Sequence, residues 1–263
     1  MHPRFAKPFE TLSAPLQAAL LPMLGDDFQA RFTPEQVATL KAATGLDDRA
    51  LRLALLPLAA ACSVAPISRF FVGAIACGLS GTWYFGANME FAGQGLFHSV
   101  HAEQSAISNA WLGGETGISE IPVNYTPCGH CRQFMNELST AKTLKVSLPD
   151  DLSELQSFLP HSFGPADLEI TDALMSPQAH DELVLESDDP LWQAALAAAR
   201  QSYAPYSQGY AAVALQFEDG RIFCGRYAEN AAFNPSLPPM QMACAHAVLN
   251  GEELASVRRA VLL

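Results

Sequence analysis

The feature that most constrains the fold is an internal repeat of constant register. Ser63-x-Ala65-Pro66-x-Ser68 returns as Ser202-x-Ala204-Pro205-x-Ser207, a shift of 139 residues, and the same shift pairs Gly81 with Gly220, Gly86 with Gly225, Glu90 with Glu229 and Ala106 with Ala245 without a gap. Single matches of glycine or alanine come cheaply; a constant offset held from Ser63 to Ala106 does not. Two copies of one structural unit is the simplest explanation.

The unit alternates in type. Phe70–Cys77, Thr82–Ala87, Ile121–Tyr125 and Leu144–Leu148 have strand length and composition, whereas His101–Leu112 and Cys128–Leu138 have helical spacing. Strands separated by helices predict an α/β layered sheet. Ahead of the unit, Thr33-Pro34-Glu35-Gln36 places a hydroxyl at the N-cap, proline at N1 and glutamine at N3, which predicts a helix from Pro34 to about Thr44, closed by Gly45. A second helix is expected from Asp47 or Asp48 towards Cys62, bent at Pro57. The acidic, turn-prone piece from Thr171 to Pro190 reads as a linker. The expected organisation is a helical N-terminal region (1–46), a first α/β domain (47–170), the linker (171–190) and a second α/β domain (191–263). The shift aligns Ala260–Leu263 with Ile121–Asn124, so the second domain reads as incomplete.

Composition excludes several function classes. With 263 residues, 49% hydrophobic and 16% charged, the chain buries a sizeable core. A net charge of −12 with only 15 lysines and arginines argues against nucleic acid, whose binding rests on neutralised phosphates. Small neutral or cationic substrates fit better. No apolar run reaches the roughly 18 residues that a membrane span needs. The run Leu16–Leu24 is broken by Pro22 and lacks the flanks of a signal peptide. The six cysteines lie mostly in apolar runs rather than at disulfide spacings, which points to a reducing cytoplasm.

Chemistry concentrates in two short stretches, His101-Ala102-Glu103 and Pro127-Cys128-Gly129-His130-Cys131. They supply one imidazole, two thiolates and a carboxylate free of ligand duty, the set a zinc site needs to activate water while leaving one coordination position open. Both are expected at helix N-termini, where free N–H groups and the positive dipole end favour thiolate. Alone, a Cys-x-x-Cys is often a structural zinc knuckle or a redox pair, and a lone His-x-Glu is usually nothing. By the shift of 139, His101 becomes Met240 and Glu103 becomes Met242, so the second copy is read as chemically inert.

The His-x-Glu and Pro-Cys-x-x-Cys pair is the zinc deaminase signature. With Phe70-x-Val72-Gly73-Ala74, Gly86-Ala87-Asn88-Met89-Glu90 and Thr126-Pro127-Cys128-Gly129-His130-Cys131-Arg132-Gln133, the chain closely resembles the cytidine deaminases, in their long, two-domain, homodimeric form. The resemblance extends to Tyr227-Ala228-Glu229-Asn230-Ala231-Ala232-Phe233. It implies a three-layer α/β/α fold, duplicated, and the hydrolysis of cytidine and deoxycytidine to uridine and deoxyuridine in pyrimidine salvage. It further implies one Zn2+ per chain on His101, Cys128 and Cys131, with Glu103 as proton shuttle. Asn88 and Glu90 become ribose readers, with Met89 and Ala102 beside them in the substrate site, and Phe70 a wall for the base. Phe163 is implied as a second ring over the pyrimidine, supplied by the partner subunit.

Blander readings stand beside these. Asn88 and Glu90 alone are polar turn residues, and Phe70 and Phe163 alone are core aromatics. Arg132 is expected either to donate to a thiolate or to be a solvated helix arginine. Rival functions are a deaminase acting on nucleotides or polynucleotides, which the acidic charge disfavours, a nucleoside-binding protein that lost catalysis, and a purely structural zinc protein.

Overall fold

The computed structural model describes residues 1–25 and 27–263. Two short helices, α1 (Ala6–Glu10) and α2 (Ala14–Leu20), lead to the two-residue strand β1 (Arg31–Phe32). Helix α3 spans Pro34–Thr44 and begins with the expected capping box: the Gln36 N–H donates to Thr33 Oγ1 while the Thr33 N–H donates to Gln36 Oε1. Gly45 ends it in the left-handed region, at φ 69°. Helix α4 spans Asp48–Ala60, capped by Asp47, and contains Pro57.

The first copy continues with β2 (Gly73–Gly78), β3 (Trp83–Ala87), α5 (Ala102–Leu112), β4 (Ile118–Pro122), α6 (Gly129–Met135), β5 (Lys145–Leu148), β6 (Asp151–Glu154) and α7 (Leu155–Phe158). The second supplies α8 (Pro190–Ala199), β7 (Ala212–Phe217), β8 (Ile222–Arg226), α9 (Pro239–Leu249) and β9 (Val257–Leu262). The first sheet runs β1-β3-β2-β4-β5-β6, antiparallel except for the parallel pair β4/β5; the second runs β8-β7-β9, all antiparallel.

Strand alternation decides what each sheet packs against. In β2, Ala74 and Ala76 face one core with α5, α9 and the inner face of the second sheet, whereas Ile75 and Cys77 face another with α1–α4. In β7, Val213, Leu215 and Phe217 enter the same inner core and Ala214 faces α8. Helices α5 and α9 therefore lie between two sheets, and the copies share one apolar interior. Polar ties reinforce that joint. Glu137, fully buried, accepts from the Tyr203 hydroxyl (2.8 Å), the Tyr206 hydroxyl (2.5 Å) and the Ala231 N–H (2.9 Å).

Several expectations shift at their edges. The predicted strand from Phe70 starts only at Gly73, because two asparagine side chains replace the ladder before it. Asn88 Oδ1 accepts from the Val72 N–H (2.9 Å) and its amide donates to the Phe70 carbonyl (2.9 Å), while Asn124 binds the Gly73 N–H and the Phe71 carbonyl in the same way. The predicted strand at Ile121–Tyr125 lies earlier, at Ile118–Pro122. Strands β1 and β6 were not foreseen: one has two residues and the other is mostly exposed, so neither carries an apolar alternation. The expected linker Thr171–Pro190 lacks helix and strand up to Asp189, with Pro190 opening α8, but it is anchored, with Leu174 and Met175 buried and the Leu174 N–H bound to the Glu137 carbonyl (2.8 Å).

The gapless register of the repeat is corrected. Strands β2 and β3 map onto β7 and β8 by the shift of 139, but the inner helices do not. A Cβ on Gly86 would meet the Ala102 carbonyl and Ala106 N–H, and one on Gly225 would meet those of Pro239 and Ala243, an offset of 137. The bridge Met89/Val100 likewise recurs as Ala228/Leu237. The loop entering α9 is thus two residues shorter than that entering α5, and the register recovers before β9, where Cys77/Glu120 recurs as Gln216/Arg259. Accordingly, the counterparts of His101 and Glu103 are Pro238 and Met240, and the match of Ala106 is Ala243. The second copy still lacks an imidazole and a carboxylate at those places.

Candidate active site

His101 is the N-cap of α5 and Cys128 the N-cap of α6, so both side chains spring from helix starts, where backbone N–H groups lack partners within the helix. His101 Nδ1 lies 3.3 Å from the Sγ of Cys128 and 3.3 Å from that of Cys131, and the two sulfurs are 3.7 Å apart. Ligands on a tetrahedral zinc with Zn–S about 2.3 Å and Zn–N about 2.0–2.1 Å stand roughly 3.5–3.8 Å from one another. The sulfur pair has that spacing and the nitrogen lies about 0.2 Å inside it, so the trio fits such an ion with a small adjustment. It is the one His/Cys/Asp/Glu group of metal-binding geometry among the described residues.

The electrostatics are those of a thiolate site. Hydrogen bonds from Cys131 and His101 hold the Cys128 thiol down at about 3, while the bond to Cys128 and burial push Cys131 well up. The Cys128 thiolate raises the pKa of His101. Burial lowers that of His130, whose ring lies 5.3 Å from the His101 ring. Glu103 is 4% exposed, and burial raises its pKa against the pull of its hydrogen bond with Cys131 and of His101. A buried carboxyl whose hold on a proton is strengthened, beside a metal site, is suited to carrying protons.

The cluster opens into a cleft of about 480 Å³, the size of a small-ligand site. Of the residues expected there, Phe70, Asn88, Glu90, His101, Ala102, Glu103 and Cys128 line it. Cys131 lies beneath, 1% exposed. Met89 does not: its side chain is buried in the inner core while its backbone pairs with Val100. Phe163 does not line the cleft of its own chain either; it is exposed on a loop whose carbonyl accepts from Gln133 (2.7 Å) and Asn136 (3.0 Å). Both readings of Arg132 give way to a third: it donates to the carbonyls of Pro127 (2.7 Å) and Phe158 (2.9 Å), fixing the approach to Cys128.

The cleft has members that sequence reasoning missed. Tyr125 packs tilted at 40° against Phe70 with centroids 4.4 Å apart, and Ser68, Val72, Leu96, Ser99, Val100 and Thr126 also line the wall. Tyr125 was legible only as the end of a strand; its place directly before Thr126-Pro127-Cys128 was the available signal. Nothing in the sequence marked Leu96 and Ser99, which reach the cleft through the loop entering α5.

Glu90 is held by three donors, the N–H groups of Ile67 (2.8 Å) and Ser68 (2.9 Å) and the Ser68 hydroxyl. Burial opposes its charge, but these bonds win and lower its pKa.

Comparison with known proteins decides the family. Models of the cytidine and deoxycytidylate deaminase zinc-binding region match residues 46–147 and 155–263. The chain is 94% identical over 263 residues to a cytidine deaminase of Aeromonas hydrophila subsp. hydrophila, across all of this chain and 90% of that protein. The chain belongs to the cytidine deaminase family. A cytidine deaminase of Aeromonas salmonicida is 92% identical over the same span, again 90% of its length. Among solved structures, cytidine deaminases from Mycobacterium tuberculosis (28% identity, TM-score 0.41, 45% of this chain and 99% of that one) and Burkholderia pseudomallei (29%, 0.40, 45% and 100%) are similar. Family membership makes the chain a zinc-dependent deaminase built from two tandem deaminase domains.

Proposed function

We propose that the chain hydrolyses cytidine and 2′-deoxycytidine to uridine and 2′-deoxyuridine with release of ammonia, and that His101, Cys128 and Cys131 hold its single zinc. The observation that carries this reading is the convergence of one imidazole and two thiols at two helix starts, with the buried Glu103 carboxyl bonded to Cys131, on the floor of a cleft. Zinc, when bound, lowers the pKa of a coordinated water to about 7 and so supplies a nucleophile at neutral pH. Glu103 takes a proton from the attacking water and passes it to N3 of the pyrimidine as C4 is attacked. It then carries the remaining hydroxyl proton to the departing amine. Atoms and protons balance with one carboxylate.

Binding follows from the cleft wall. Phe70 and Tyr125 offer a π-surface for the base. A carboxylate has about four acceptor sites, and three donors from Ile67 and Ser68 occupy Glu90, which leaves capacity for a ribose hydroxyl. Asn88, tied to Phe70 and Val72, presents the remaining lone pair of Oδ1 beside it. The lining holds two carboxylates, Glu90 and Glu103, and no lysine or arginine, which favours a nucleoside over a nucleotide.

The working form is a homodimer in a reducing cytoplasm, acting in pyrimidine salvage. Leu96, Phe97, Phe163, Phe233 and Met240 are all exposed, and pairing two chains covers such apolar groups. Phe163, absent from its own cleft, is then available to the partner's. The six free cysteines and the lack, among the described residues, of a helix able to cross a membrane fit that setting. The chain divides into the helical region (1–46), the catalytic domain (47–170), the connector (171–190) and the inert domain (191–263). Ultraviolet absorbance tests the reaction: cytidine shifts to the uridine spectrum and 5′-cytidylate does not. Unchanged cytidine with zinc bound at one per chain overturns the assignment, and a monomer by light scattering overturns the dimer.

A further inference from the structure

The corrected register uncovers a pair of equivalent glutamines. With the offset of 137, Gln104 in α5 corresponds to Gln241 in α9, and His98 before α5 corresponds to Pro235 before α9. Each glutamine reaches the matching residue of the other copy. The Gln104 amide donates to the Pro235 carbonyl (3.3 Å), and the Gln241 amide lies 3.4 Å from His98 Nδ1. Such reciprocity about the axis relating the copies marks a built contact rather than two unrelated ones.

What the two contacts hold differs. As an N-cap, His101 has a backbone N–H with no partner inside the helix. Gln104, 1% exposed, spends its carbonyl on that N–H (3.2 Å) and its amide on Pro235, so both ends of a buried side chain are used. The second copy thereby fixes the peptide from which the imidazole ligand springs. The same helix is secured at its far end by Arg226, also from the second copy, whose guanidinium sits 3.8 Å over the Trp111 ring and donates to the Trp111 carbonyl (2.6 Å). Gln241 instead holds the turn Leu96–His98, from which Leu96 projects into the cleft wall.

We propose that Gln104 and Gln241 are positioning residues through which the inert copy serves the reaction: Gln104 sets the metal-binding start of α5, and Gln241 sets the lip of the substrate cleft. The proposal rests on the site assignment given above. Methionine keeps the length and burial of glutamine while removing its amide, so Gln104→Met and Gln241→Met are the variants of choice. Zinc release to a chromogenic chelator and steady-state kinetics on cytidine are the readouts. Q104M is expected to release zinc and lose kcat by about ten-fold or more, the usual effect of removing a group that orients a metal ligand, with KM unmoved. Q241M is expected to raise KM several-fold with kcat and zinc release unmoved. Equal losses in both variants, or a lowered melting temperature with no change in kcat, KM or zinc release, overturn the proposal. Gln241 sits at the rim of the joint and tests the lip half by itself, so an unchanged KM in Q241M overturns the proposal even where Q104M fails to fold. Glu103→Gln separates the two readings: a variant that still turns over brings down the role of Glu103, whereas zinc release from Q104M reports on the Gln104 contact alone.

Discussion

The two copies repeat each other wherever the backbone needs something and part company wherever chemistry does. Gly86 and Gly225 each let an inner helix approach a strand so closely that a Cβ would lie 2.1 Å from its backbone. Glu90 and Glu229 each staple a preceding turn, the latter through the N–H groups of Tyr206 (2.9 Å) and Ser207 (3.2 Å) and the Ser207 hydroxyl. At the helix starts, however, the place of His101 is taken by Pro238 and that of Glu103 by Met240. A duplicated fold therefore needs its close approaches and staples twice and its reactive groups once.

The largest effect that can break this comparison lies at Glu103. Glu103→Gln should lower kcat by about 10²–10⁴-fold with zinc content unchanged, and Met240→Gln at the equivalent place should alter neither. Comparable losses in the two, measured by absorbance assay and metal analysis, would mean that the second copy takes part in the chemistry.

Close packing comes next. Gly86→Ala and Gly225→Ala should each cost about 3 kcal/mol or more, since backbone rather than a flexible side chain must yield. Only Gly86→Ala displaces the helix bearing His101, so at temperatures where both variants are folded it alone should lose kcat.

His246 and Asn109 occupy equivalent places in α9 and α5. Asn109 donates to the carbonyls of Ala30 (3.1 Å) and Phe85 (3.0 Å), whereas Nδ1 of His246 has no hydrogen-bond partner. Burial pushes His246 down to about 4, although the Cys224 backbone favours the charged ring. Between about 6.5, its value in the unfolded chain, and about 4, the unfolded state binds a proton that the folded state refuses. Its contribution to stability is therefore complete above about 6.5 and lost as pH falls towards 4, on the order of 3 kcal/mol in all. His246→Asn should flatten the melting temperature over that window while leaving kcat at pH 7 unchanged.

The smallest effects are at the staples. Glu90→Gln and Glu229→Gln each keep one acceptor oxygen and should cost about 1 kcal/mol of stability. Glu90→Gln should in addition raise KM for cytidine, and Glu229→Gln should not. A KM change in both would show that the turn, and not a sugar contact, governs binding.

Much of this was legible in the residues. The repeat, the capping box at Thr33, the helix at His101 and the grouping of His101 with Cys128 and Cys131 all stand in short motifs whose physics is local: a cap, a dipole, a Cys-x-x-Cys spacing. Reading failed where partners come from far away in the chain. The loop shortened by two residues was invisible because Ala106 matches Ala245 as well as Ala243, and only contact with Gly86 and Gly225 tells them apart. Met89, flanked by Asn88 and Glu90, turns inward because strand-like alternation puts neighbours on opposite faces. Arg132 found carbonyls at Pro127 and Phe158 that no spacing advertises.

The sequence by itself determined a duplicated α/β chain with the His-x-Glu and Cys-x-x-Cys motifs in one copy, because periodicity, caps and donor type are written in neighbouring residues. Only the tertiary structure decided that α5 and α9 share one core, that His101 Nδ1 meets both sulfurs, and that Gln104 is held by the second copy. These are contacts between residues distant along the chain, fixed by which face each element must bury.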